Sequence, residues 1–425
     1  MTKVDLSGRF LLALACLLLV TRAAGLLARR IKQPAVLAEL TAGILLGPSL
    51  FGLAVPDAHA LLYGDDVLPL LDGLGQLGLV LLALRIGRLL ARGEGGGSGE
   101  RGTVLAVGAA GFVLPFAAGV PLALTLCAPY AGEHATPVAL ALFLGGALGV
   151  TAVPVLARLL QDEGLTDSRA GRISLAAAAA GDAAVWVVLT AALFAAGRLG
   201  PGRIALVAAG LLLCAALLRW RGAEAPSAPA DAGVLVAGCA LAAAASSAAG
   251  LHQLLGAVVF GFVWGRRRPV EDLAAGRLDT VVDQVLLPCF FLGFGQRVDL
   301  GGVSWDADFA LLLAVLLSVA VVVKAVGCAG AGVVRGLPSA QWLRLGVLMN
   351  ARGLTEIVVL SAGFDAGLID RGLLVALTVV ALATTAMAGP GLRLVDRLRP
   401  LPAEDQMPLL IRPTVKGSVV GSSPN

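Results

Sequence analysis

Apolar runs separated by short stretches of arginine, glycine and proline recur along the whole chain. Thirteen segments stand out, near 9–28, 35–53, 67–91, 102–127, 138–160, 172–197, 201–219, 231–249, 251–265, 280–297, 307–334, 341–364 and 371–395. Most approach the ~20 residues that a helix needs to cross a hydrocarbon layer. None shows the strict alternation of a barrel strand, and Leu, Ala and Val dominate, so the spans are read as helices.

Composition sharpens this reading. Of the 425 residues, 58% are apolar and 14% charged, against about 25% charged in a soluble domain. A water-soluble globule is excluded, and the chain reads as an all-α integral membrane protein. Lys3 and Arg9 before the first apolar run would also suit a signal peptide, but Arg22 and the Arg29, Arg30, Lys32 cluster favour a retained helix. Cys16, Cys127, Cys214, Cys239, Cys289 and Cys328 all fall inside apolar runs without metal-ligand spacing, and read as small core residues. The net charge of +4 comes with no basic stripe, so nucleic acid is not an expected partner.

The basic residues orient the spans. With the N-terminus outside, the cytoplasmic connections collect Arg29, Arg30 and Lys32, then Arg88, Arg92 and Arg101, then Arg158, Arg169 and Arg172, and so on to Arg393, Arg397 and Arg399. The opposite connections 54–66 and 128–137 have no lysine or arginine. The positive-inside rule then predicts N-out and C-in, in a cell membrane, with an odd number of spans. Residues 398–425 are polar and read as a disordered cytoplasmic tail, with no soluble regulatory domain expected after it.

The chain also repeats itself. Leu37, Leu40 and Gly47 of LAELTAGILLG match Leu251, Leu254 and Gly261 of LHQLLGAVVFG, and IGR (86–88) matches GQR (295–297). Both pairs are seven segments apart, so matched helices cross the bilayer in opposite directions, as in inverted-repeat transporters. Segments five and twelve then correspond, and both are interrupted in mid-span: Thr151-Ala-Val-Pro154 in one, Asn350-Ala-Arg352-Gly353 in the other. Pro154 alone would suit an ordinary kink. Two matched breaks point instead to a transport site, because freed backbone groups survive in a membrane only where they line a cavity.

An ionised side chain at the centre of a span costs about 2.5–3.5 kcal/mol on insertion scales. Asp182, Lys324, Arg352 and Glu356 all sit at mid-depth. Asp182 lies among small residues in AAAAAGDAAVW, and a carboxylate there can hold either a proton or a small cation. Competition for the same oxygens would give antiport; the plainer reading is a structural carboxylate bonded to a broken helix end. Lys324 is the one lysine between residues 33 and 415 in a chain that otherwise uses arginine. It suits either a titratable cation or a compact charge near the negative ends of the broken helices. Arg352 and Glu356, four apart on one helical face, are expected to pair with each other. Arg22, Glu39 and Arg85 lie nearer span ends, where snorkelling suffices.

GLGQLG (73–78) fits a dinucleotide fingerprint but lies inside a span with no preceding strand. His59, His134 and His252 are scattered and suggest neither a zinc site nor a hydrolytic triad. No cofactor, no resident metal and no enzymatic activity are expected.

The strings VLAELTAGILLGPSLFG (36–52), TAVPVLARLL (151–160), RISLAAAAAGDAAVW (172–186) and LGVLMNARGLTEIVVL (345–360) resemble the monovalent cation:proton antiporter-2 family, over about residues 1–395. The resemblance implies the sodium/proton antiporter fold: about thirteen helices in inverted repeats with two broken crossing helices. It also implies a homodimer in which a moving core works against a scaffold. By that likeness 1–100 are scaffold and dimerisation helices and 101–200 the first core repeat. Residues 201–300 are a linker helix and scaffold, 301–397 the second core repeat and 398–425 the tail. Exchange of Na+ or K+ for H+ by alternating access in a lipid bilayer is the implied activity. Asp182 would be the shared carrier, Thr151 and Asn350 would flank the crossing as cation-binding residues, and Lys324, Arg352 and Glu356 would supply supporting charge. Pro154 and Gly353 would mark the helix breaks. The polar residue usual before the carrier is Gly181 here, and the usual Gly-Leu-Glu closing the third span is Gly87-Arg88-Leu89. A channel-like or organic-solute carrier on the same scaffold is the alternative.

Overall fold

The computed structural model describes residues 5–92, 100–166, 168–198, 200, 202, 232–248, 253–267 and 273–400. The seventh segment (201–219), Cys214 and the tail beyond residue 400 lie outside the described residues. Among those described there is no strand, only an isolated antiparallel bridge between Ala131 and Ile369.

The helices follow the apolar runs closely. In chain order they are α1 (Leu6–Arg30), α2 (Ala35–Leu46), the short α3 (Phe51–Ala54) and α4 (Pro56–Tyr63), α5 (Leu68–Arg92) and α6 (Arg101–Leu124). Then come α7 (Pro137–Gly149), α8 (Val153–Asp162), α9 (Arg169–Ala195), α10 (Ala232–Ala248), α11 (Gln253–Arg267) and α12 (Leu273–Val281). The chain ends with α13 (Leu287–Arg297), α14 (Ala307–Ser318), α15 (Lys324–Val334), α16 (Ser339–Leu348), α17 (Leu354–Asp365) and α18 (Arg371–Leu398). Among the described residues, eight helical stretches are long and apolar enough to cross a membrane, and three shorter ones are apolar. This is a multi-pass membrane protein.

Two departures from straight helix have local causes. A π-helical turn, Val282–Leu286, joins α12 to α13 just before Pro288; the wide turn absorbs the bond that proline cannot make. A second, Val319–Val323, joins α14 to α15 and sits directly before Lys324, setting that side chain off the regular helical register.

The helices form two packed groups. In one, α1 lies on α2, α2 on α13, and α5 on α11 and α13, with α10 beside α11. In the other, α6, α7 and α9 pack mutually, α15 lies on α6 and α16, and α18 on α14, α16 and α17. Exchanging segment two with nine and three with ten converts the α2–α13 contact into the α11–α5 contact. The packing thus carries the internal two-fold that the sequence repeat predicts.

Both repeated contacts depend on missing side chains. A methyl group at Gly43 would lie 2.3 Å from the Phe291 carbonyl oxygen, and one at Gly87 would lie 2.1 Å from that of Val258. Backbone meets backbone here, with nothing flexible to yield. Gly43→Ala is therefore expected to cost about 1–3 kcal/mol, seen as a lower unfolding temperature in detergent. Gly73→Ala, which faces open space, should leave that temperature unchanged.

Candidate functional site

The fifth and twelfth segments are each split into two half-helices. The chain leaves α7 at Gly149, runs extended through Val150 to Ala152 and re-enters helix at Val153. Pro154 lies just past a break and not at a kink in a continuous span, as the paired interruptions predict. It occupies the first turn of α8, where its missing N–H is an orphan in any helix. The second break runs from Met349 to Gly353, and Gly353 has φ +143°, ψ −116°, a conformation that side-chain-bearing residues rarely adopt. The two breaks touch: the Ala152 N–H donates to the Ala351 carbonyl at 3.1 Å and the Thr151 hydroxyl to that of Met349 at 2.9 Å.

Each half-helix leaves unsatisfied carbonyls at one end and N–H groups at the other. The carbonyl end of α7 is covered by cations from the opposite repeat. Arg352 donates to the carbonyls of Ala147 at 2.8 Å and Leu148 at 2.6 Å. Lys324 donates to that of Gly149 at 2.8 Å and also to Val150. Four successive carbonyls thus meet two positive charges, which the negative end of the helix dipole also favours. Lys324 thus lies at the broken end of α7. Among the described residues, its ammonium bonds to these carbonyls and to no carboxylate. The α16 end is served by neutral groups: Asn350 Nδ2 donates to the Gly346 carbonyl at 2.7 Å, while its Oδ1 is buried and unpartnered.

Arg352 and Glu356 form the expected pair, with both side chains fully buried and Nη1 at 2.7 Å from Oε1. They do not share one face of a continuous helix, because Arg352 precedes α17 and lies in the break itself. The guanidinium is held at both ends, by Glu356 and by α7. The Thr385 hydroxyl caps the Arg352 carbonyl at 2.7 Å.

Asp182, in α9, lies against the start of the other half-helices. Its side chain is 2% exposed. The backbone N–H of Val153, first residue of α8, is directed at the carboxylate, and the hydroxyl of Thr355, second residue of α17, donates to Oδ2 at 3.3 Å. Oδ1 has no partner. Asp182 and Thr355 line a cavity of about 30 Å³ whose other walls are mostly apolar, among them Leu79, Leu82, Trp186, Leu254 and Val358. Thr151 and Asn350 do not line it; Thr355 does. Gly181 is not imposed by packing, since a Cβ there would meet only Phe112, at 3.9 Å.

Beyond the cavity lies a vestibule of about 400 Å³ on the arginine-rich side, lined by Glu39, Arg85, Arg88, Arg158, Asp279 and Asp283 among others. Glu39 and Arg85, to which the sequence assigned only end-of-span roles, are therefore wall residues of this space, and Arg85 pairs with Asp283 at 2.9 Å. Ile86 of α5 and Leu354 of α17 border both spaces. Two apolar side chains are thus shared by the walls of the vestibule and of the cavity. The sequence pointed to neither this boundary nor Thr355, although a hydroxyl just after a glycine break was the available signal for the latter.

Two half-helix pairs crossing at mid-depth, with cations on one set of ends and a carboxylate at the other, define the inverted-repeat membrane transporter fold. Residues 14–395 match the family model described as sodium/hydrogen exchanger, transmembrane, and the chain belongs to that family. It is 30% identical to cation/H(+) antiporter 17 of Arabidopsis thaliana over 89% of its own length and 47% of that protein. It is 28% identical to the Na(+)/H(+) antiporter NhaS4 of Synechocystis, covering 93% of this chain and 99% of NhaS4. The chain spans about half the length of the Arabidopsis relatives it matches. Among solved structures, the sodium proton antiporter MjNhaP1 from Methanocaldococcus jannaschii superposes with a TM-score of 0.53 over 91% of this chain and 99% of that one. At 13% identity that likeness concerns the fold alone.

Proposed function

We propose that this protein exchanges a monovalent cation, Na+ or K+, for H+ across a cell membrane by alternating access, with Asp182 as the shared carrier. The observation that carries this is a buried carboxylate with one unpartnered oxygen, on a residue that lines a small cavity at the α17 N-terminus. An isolated buried charge is costly. A site that is always loaded with either a proton or a cation avoids that cost on every crossing.

The charge balance supports one proton per cation. Asp182, Lys324, Arg352 and Glu356 formally sum to zero in the core. In our reading the lysine, bonded to backbone carbonyls, acts as a fixed charge and not as a second cargo. Either load at Asp182 then leaves the core with the same charge, so exchange is electroneutral. Thr151 ties the two breaks together, Asn350 caps the end of its own half-helix α16, and Pro154 and Gly353 shape the breaks.

In our reading α6 to α9 and α14 to α18 form the moving core, and the remaining helices a scaffold that dimerises. The orientation is N-out and C-in, in a plasma or inner membrane. The vestibule then opens on the cytoplasm, and the pair of Arg297 Nε with Asp365 Oδ1 at 3.3 Å joins scaffold to core on the outer side. Exposed pairs are worth about 0.2–1 kcal/mol. Arg297→Gln should therefore raise the outward-open population no more than about fivefold, read as faster labelling of an outer-facing cysteine.

The test of the function is a panel of cations added to proteoliposomes holding a pH gradient. Na+ or K+ should collapse the gradient without a membrane current. Uptake of solute with no proton counterflow, or single-channel current, would replace antiport by the channel-like or solute-carrier alternative.

A further inference from the structure

We propose that the Thr355 hydroxyl is the second side-chain ligand of the transported cation and sets its preference between Na+ and K+. This rests on Asp182 being the carrier. Asp182 offers Oδ1 without a partner and Oδ2 shared with Thr355 at 3.3 Å, in a cavity that both residues line. The rest of that lining is hydrocarbon apart from Trp186, whose indole can donate but not accept. Among the described residues, Thr355 is thus the one other lining residue whose side chain carries oxygen.

The cavity is small, about 30 Å³, and its walls are mostly hydrocarbon. A cation inside it therefore gives up much of its hydration. Its remaining shell must come from the protein, and oxygen is what a hard cation requires. The hydroxyl serves both loads. It donates to Oδ2 while the carboxylate is ionised and empty, and turns a lone pair to the ion when one lies between Oδ1 and Oγ1. Threonine is stiff at χ1 and sits in the first turn of α17, so this ligand stays in place.

Preference follows from the number of oxygens. Na+ is the smaller ion and gives up more hydration on entry, so the loss of one oxygen hurts it more than K+. Thr355 also reaches the site from the second repeat, 173 residues from Asp182. The preference is thereby built across the two repeats rather than on the carrier helix.

Thr355→Val keeps the shape and removes the hydroxyl, Thr355→Cys replaces it with a soft sulfur that binds alkali cations poorly, and Thr355→Ser restores it. In proteoliposomes with saturating cation, Val and Cys variants should keep their maximal rate within about twofold, while the KM for Na+ rises about tenfold or more, the loss of one hydrogen bond to a charge. The KM for K+ should rise less, and the Ser variant should match the parent. If Val does not insert and fold, the Cys and Ser pair decides alone. Unchanged KM values, equal damage in Ser and Cys, or a fall in maximal rate alone would overturn the proposal. Asp182→Asn, run alongside, separates the two claims. Exchange surviving there removes the carrier itself, whereas loss of exchange there with an unchanged KM in Thr355→Cys removes only the ligand.

Discussion

Asp182→Asn will reduce cation-driven collapse of a pH gradient to the level of empty liposomes, for every cation and at every pH. The amide nearly preserves the volume, and its oxygen can still accept from Thr355 in a cavity that is otherwise apolar. The fold should survive, because a neutral side chain removes a buried charge instead of adding one. What disappears is the single group that holds cation and proton in turn. In the parent the two loads compete, so raising the proton concentration should raise the apparent KM for the cation and leave the rate at saturating cation unchanged until the proton gradient itself limits. The measurement is fluorescence dequenching in proteoliposomes, with size-exclusion elution of both proteins as the folding control. Well-folded Asp182→Asn protein that exchanges at the parental rate would falsify the carrier assignment.

The second large effect is on stability. Arg352→Met strips Glu356 of its partner and uncovers the carbonyls of Ala147 and Leu148, in a place where both pair members are fully buried. Breaking one half of such a pair typically costs about 3–5 kcal/mol, mostly as an uncompensated charge. Most of the variant is therefore expected to be lost during solubilisation, with a clear drop in unfolding temperature for the remainder. Adding Glu356→Gln should recover part of that drop, since it removes the stranded carboxylate, but not the part due to the α7 carbonyls. A double variant no more stable than Arg352→Met would show that the pair is not the source of the loss. Lys324→Met should behave differently: it frees the Gly149 and Val150 carbonyls and strands no carboxylate that the lysine itself holds.

How much of this was legible along the chain differs from residue to residue. Asp182 stood out because a carboxylate in a run of alanines has few reasons to be there. Lys324 stood out because arginine is the habit of this sequence. The pairing of Arg352 with Glu356 followed from their spacing, yet the helix assumed for it was wrong, since Gly353 ends the break between them. Thr355 carried no such mark. Threonine is common in membrane helices, and its importance comes from a carboxylate far away in sequence.

Two kinds of physics divide the credit. Insertion into hydrocarbon is paid residue by residue, so apolar run length, arginine flanks and interrupted spans determined by themselves the membrane class, the helices, the inverted repeat and the buried acid. Bonds made across long loops depend on which faces meet. Lys324 reaches Gly149 from 175 positions away, and the vestibule exists only where α2, α5, α8 and α12 diverge around it. Tertiary packing alone therefore decided that Arg352 and Lys324 cover the α7 carbonyls, that Thr355 rather than Thr151 bonds the carboxylate, and that Ile86 and Leu354 border both spaces. No local pattern encodes these, because each needs two surfaces brought together by the fold.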